Sequence, residues 1–158
     1  MKRDDLWSFA LACYAQPGVE VACLELQAAG ADVCLLLAGA WLECRRIACD
    51  GARLEQLKAV SDDWRTQVVA PLRGLRQSWR EQANRDSDLA SLRGRIKQLE
   101  LEAEQIQLLR LQSVAEHWPA SRGSADWLDQ LCADLSDEPQ ISLNTLRYAA
   151  ASQLASGD

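Results

Sequence analysis

The run Asp32 to Leu42, D-V-C-L-L-L-A-G-A-W-L, constrains this chain more than any other stretch. It is apolar on nearly every side. A helix of that kind is either wrapped by other helices or sits in a membrane. Eleven residues are too few to cross a bilayer. The run therefore predicts a buried central helix, over 32–49, in an all-α bundle. Asp32 is placed to cap it, and Gly39 would let a second helix approach closely.

The flanking sequence supplies the wrapping. Asp4 or Asp5 can cap a first helix reaching about Tyr14, with Leu6, Phe9, Ala10, Cys13 and Tyr14 at helical spacing. Pro17-Gly18 breaks the chain, and Pro17 suits the first turn of the next helix. That helix carries Val19, Ala22, Cys23 and Leu26 on one face and ends at Gly30, a left-handed cap. Arg45, Arg46 and Asp50-Gly51 close the central helix. A short helix with Leu54, Leu57 and Val60 follows, and Ser61 or Asp62 starts a longer one to about Gln82. Pro71 lies inside this helix and should kink or divide it near Ala70. Val and Ile are sparse and never alternate with polar residues, so no strand is expected.

From Asp88 the period changes. Leu89, Leu92, Ile96, Leu99, Ala103 and Ile106 form a heptad seam of two to three repeats. Arg93, Lys97, Glu100, Glu102 and Glu104 lie on the opposite face. The segment 88–117 thus reads as a coiled-coil-like arm, either folded back on the bundle or paired with a second copy. Beyond it, 118–158 reads as an acidic helical appendage. Ser124 would cap a helix with Trp127, Leu128, Leu131 and Leu135 on one side. Asp137-Glu138-Pro139 would break it, and a last alanine-rich helix would run to Leu154 before Ser156–Asp158 frays.

Chemistry is sparse. The six cysteines, at 13, 23, 34, 44, 49 and 132, contain no C-x-x-C pair, and His117 is the only histidine. No zinc spacing results, and free Cys on an apolar face behaves as a small hydrophobe. Glycine-rich phosphate loops and the G-x-S-x-G elbow are absent. Asp62-Asp63 and Asp86-x-Asp88 read as helix caps and first-turn charges. No catalytic residue, metal or cofactor is expected, and no membrane span. Met1-Lys2-Arg3 runs into Asp4-Asp5 rather than an apolar core, so no secretory signal is expected and the setting reads as cytoplasmic.

The net charge of −6 disfavours general nucleic-acid binding. Only 51–83 is net basic. Its arginines Arg65, Arg73, Arg76 and Arg80 share an arc of about 80° beside the apolar stripe. No aromatic residues interleave with them for base stacking.

The stretches L-W-S-F-A-L-A-C-Y-A-Q-P-G-V at 6–19, A-C-L-E-L-Q at 22–27, D-V-C-L-L-L at 32–37 and W-R-T-Q-V-V-A-P-L-R at 64–73 carry a resemblance. Over roughly residues 5–110 the chain is similar to an uncharacterised proteobacterial family of small helical "conserved hypothetical" proteins. Members of that family have Asn where this chain has Cys34. The resemblance implies a helical fold in a bacterial cytoplasm and brings no catalytic residues.

Two functions follow as expectations. One is a non-enzymatic scaffold or regulatory protein that meets a protein partner, or a second copy of itself through 88–117. Its contacts would be Arg65, Arg73, Arg76, Arg80, Leu92, Ile96, Leu99, Trp127 and Leu131. The other is a small-ligand-binding protein or enzyme with a Trp/Cys-lined pocket between helices, walled by Cys34 and Trp41.

Overall fold

A computed structural model describes residues 5–123, 125–133, 135 and 140–155. The expected features at Asp4, Ser124, Asp137-Glu138-Pro139 and Ser156–Asp158 lie outside these. The described residues are helical, with no strand among them.

Helices α1 (Leu6–Tyr14), α2 (Val19–Ala28) and α3 (Val33–Cys44) are short, and each boundary has a local cause. Asp5 accepts from the Ser8 N–H at 2.7 Å and Asp32 from that of Leu35 at 3.4 Å. Gly18 and Gly30 take the left-handed conformation that a side chain resists. Pro17 lies in the turn before α2 rather than in its first turn. Helix α3 stops at Cys44, short of the expected 49. The Arg46 and Ile47 N–H groups bond back to Glu43 and Leu42, with Arg46 left-handed at φ 57. Every residue from Leu36 to Leu42 is buried, as an all-round apolar helix requires.

Helix α4 (Gly51–Trp64) is capped by Asp50 and runs without a break through Ser61, where a new start was expected. Ser61 is buried and donates to Asp32 instead of capping. Pro71 does divide the helix, by widening it. Arg65–Val69 is a π segment, with the Ala70 N–H reaching Arg65 O, before α5 (Ala70–Ser78) and α6 (Arg80–Ala83). Proline has no N–H and its ring crowds the carbonyl four residues back. A wider turn just ahead of it accommodates both effects.

Helix α7 (Ser87–Ala115) is capped by Asp86 and spans 29 residues. Its C-terminal half packs on α1, α3 and α4, and its N-terminal half on α5 and α6. From Ala70 to Leu99 no residue is buried. This part of the chain is a two-helix hairpin standing off the core.

The segment expected as an appendage enters the core. Helix α8 (Trp127–Cys132) lies on α3, and α9 (Gln140–Ala155) lies on α1, α2 and α3. Trp127, Leu128, Leu143 and Leu146 share one hydrophobic cluster with Leu6, Leu26 and Leu42. At Gly39 a Cβ would sit 2.7 Å from Leu131 Cδ1 and 3.4 Å from Trp127 Cβ, so this glycine sets the distance of α8.

Candidate functional site

The hairpin's inner side carries charge. Arg73 donates to Glu100 at 2.9 Å and to Glu104 at 2.8 Å, and Arg76 donates to Glu100 as well. Glu100 is buried. Burial pushes its carboxyl up, but the hydrogen bonds and charges of Arg76 and Arg73 outweigh this and hold it below the usual range. For Glu104 burial prevails over Arg73, and the carboxyl is raised. With its amide oxygen turned inward, Gln27 accepts from Arg73 at 3.1 and 3.3 Å.

One step deeper, Asp32 joins three helices. Its carboxylate accepts from Ser61 Oγ at 2.6 Å and from Gln107 Nε2 at 3.0 and 3.2 Å, while Gln107 also reaches Ser61 Oγ at 2.8 Å. No buried side-chain polar atom among the described residues lacks a partner. The central helix is thus anchored by a polar knot as well as by apolar packing.

Between these two clusters lies a cavity of about 200 Å³. Trp7, Leu11 and Tyr14 of α1 form one wall, and Val33, Cys34 and Leu37 of α3 a second. The π segment adds Arg65 and Val69, and α7 adds Leu101, Glu104, Gln107 and Leu108. Gln27, Asp32 and Arg73 complete the lining. The wide π turn carries Arg65 and Val69 into this wall, a position where such turns are often found at functional sites. Two larger hollows are more open grooves: one of about 450 Å³ adjoins the cavity and shares Asp32 and Arg65 with it, and one of about 550 Å³ lies between Gln16-Pro17 and α9.

The lining is mainly apolar with convergent polar groups, and most of the latter are already engaged. Among the charged lining groups the exception is Arg65. Among the described residues its guanidinium has no hydrogen-bond or ion-pair partner. Burial and nearby acidic groups push the Tyr14 phenol up to about 12. Burial, then Asp32 and Glu104, push the Cys34 thiol well up. Both stay protonated near neutrality, so Cys34 lines the cavity as a neutral thiol. The same holds for Cys13, which burial raises to about 12, and for Cys23, Cys44 and Cys49, raised to about 11 with burial as the first cause.

The expected contact residues scatter. Arg73 and Arg76 are paired with Glu100 and Glu104 on the inner side of the hairpin. Arg65 lines the cavity and Arg80 is exposed. Trp127 is fully buried, stacked on Trp118 and donating to Ile47 O at 2.8 Å, and is closed to any partner. Leu131 is half-buried against Gly39. Ile96 is half-buried, whereas Leu92 and Leu99 remain exposed. Of the two expected pocket walls, Cys34 lines the cavity. Trp41 does not; it is buried, with Arg45 over its ring at 4.6 Å. His117 is 86 % exposed.

Ser61, Glu104 and Gln107 were not expected at a site. For Gln107 a signal existed: Glu100 and Gln107 lie one heptad apart, on the face shared with Ala103 and Leu111. Two polar residues there imply partners across the interface.

The chain belongs to the family described as "Protein of unknown function (DUF2390)", whose pattern matches residues 5–111. The match takes in α1 to α7 up to Leu111, and with them every residue that lines the cavity. Comparison with curated proteins gives no match, and neither does comparison with solved structures.

Proposed function

We propose that this member of the family is a small-ligand-binding protein, and that its ligand is a compact organic anion held in the cavity between α1, α3 and α7. The observation that carries the reading is Arg65, the one charged group in the lining of a mostly apolar cavity that is left unpaired among the described residues. A void of about 150 Å³ holds a benzene-sized molecule. The ligand is therefore about one ring, or an equivalent branched chain, with one carboxylate or phosphate. Trp7, Leu37 and Leu108 would take its body and Arg65 its charge. Binding without turnover is proposed because the lining thiol and phenol are held protonated. Six free thiols favour a reducing compartment, which supports a bacterial cytoplasmic setting as part of the proposal.

The test is titration with single-ring carboxylates and their neutral amides, read by tryptophan fluorescence and thermal shift. Acids should bind and amides should not. Arg65→Gln should weaken the acids by about tenfold or more, and Leu11→Trp should plug the cavity. Equal binding of acids and amides would overturn the role of Arg65. No binding of any, together with no small molecule carried by the native protein in mass spectrometry, would remove the reading.

The interaction reading keeps one specific support, the exposed leucines of α7.

A further inference from the structure

Helix α7 exposes apolar side chains at a regular interval. Leu92, Leu99 and Ile106 are 49, 48 and 40 % exposed and lie seven residues apart. On a helix this spacing puts them within an arc of about 40°, a straight stripe. It runs beside the buried face of Glu100, Ala103 and Gln107 without being part of it. The expected heptad seam is therefore split. Ala103 packs inside and Ile96 partly so, while these three stay outside.

The charges flanking the stripe decide what covers it. Arg95 and Glu102 are exposed about 50° to its outer side, and neither has a partner among the described residues. Asp88 and Arg110 extend the line at either end, Arg110 lying over the Trp64 ring at 4.0 Å. Read along the helix, the signs are minus, plus, minus, plus. Reversing the helix turns this into its complement.

We infer that α7 is a self-association surface, and that two copies pack it antiparallel about a two-fold axis at Leu99. In that register Leu92 lies against the partner's Ile106, and Leu99 against the partner's Leu99. Arg95 comes beside the partner's Glu102, and Asp88 faces the partner's Arg110. Symmetry makes each unlike contact twice, as an isologous interface must. In a parallel, in-register pair the two-fold would run along the helices and carry the partner's Arg95 and the partner's Glu102 to the opposite flank of the stripe, so the Arg95–Glu102 contacts would be lost. A second copy is thus the occupant that satisfies both the stripe and its charges. A second pair of helices would also cover a hairpin that buries no residue between Ala70 and Leu99.

The experiment is light scattering of the full chain, with cysteine cross-linking to read the register. The protein should be a dimer that dissociates on dilution. Arg95→Glu should weaken it by about tenfold, since two contacts change sign, and adding Glu102→Arg should restore it. Leu99→Cys should form a disulfide dimer on oxidation, whereas the parent chain should not. Leu92→Cys should not pair with itself, because the two positions lie about 21 Å apart along the axis. Leu92→Cys should pair once Ile106→Cys is added. All these positions are exposed, and circular dichroism checks that the variants keep their helices. A monomer at millimolar concentration overturns the inference. So does a folded Leu99→Cys chain that fails to cross-link. Self-pairing of Leu92→Cys as fast as that of Leu99→Cys overturns the antiparallel register, as does a double charge reversal that fails to restore the dimer.

Discussion

Glu100 holds the hairpin to its own long helix, because two arginines from α5 converge on its buried carboxylate. Replacing one partner of such a pair strands the other charges. Glu100→Gln is expected to cost about 3 kcal/mol in urea unfolding at neutral pH. Its folded pKa is depressed, so the stabilisation is complete above the unfolded value and fades as pH falls through the lower folded value. The gap between parent and variant should therefore shrink in acid. Glu104 has the opposite sign: its raised pKa favours the folded state at low pH, and this advantage is lost as pH rises through the folded value. Glu104→Gln should cost no more than about 1 kcal/mol at neutral pH. A larger loss than for Glu100→Gln would contradict this account. Arg46 gives a stabilising prediction. It is exposed and left-handed at φ 57, a conformation unfavourable for any side chain. The backbone bond from the Ser121 N–H to Arg46 O does not need the side chain. Arg46→Gly should raise stability by about 0.5–1 kcal/mol in the same measurement.

At the scale of elements, caps and breaks were legible because they are local. Asp5, Asp32, Asp50 and Asp86 each bond to an N–H three residues on, and a carboxylate just ahead of a helix does this in any fold. Pro71 marked its interruption, but a π segment instead of a kink depended on what surrounds Arg65 and Val69. Ser61 misled for a related reason. It has the chemistry of a cap, yet Asp32 and Gln107 claim its hydroxyl from two other helices. Gly39 was readable as a site of close approach, though not which helix approaches. With α8 resting there, Gly39→Val should overpack the contact and cost about 2 kcal/mol. Near-ultraviolet circular dichroism should report the disturbed Trp118–Trp127 stack. An unchanged spectrum and stability would show that α8 is free to retreat.

For the molecule as a whole, the sequence by itself determined that the chain is all-helical and organised around Asp32–Leu42. Apolar periodicity, caps and breakers act within a few residues, and a run apolar on every side has to be wrapped. The tertiary structure alone decided which polar residues are spent and which are left over. Arg65, Arg73, Arg76 and Arg80 look alike in sequence. Two are neutralised by glutamates 24 to 31 residues away, one lines a cavity and one is exposed. The heptad of α7 likewise showed that an apolar seam exists. Only the rotation of the helix against its neighbours put Ala103 inside and Leu92, Leu99 and Ile106 outside. Both outcomes turn on contacts between residues distant in sequence, where side-chain pairing and helix rotation are set by the partners and not by the segment itself.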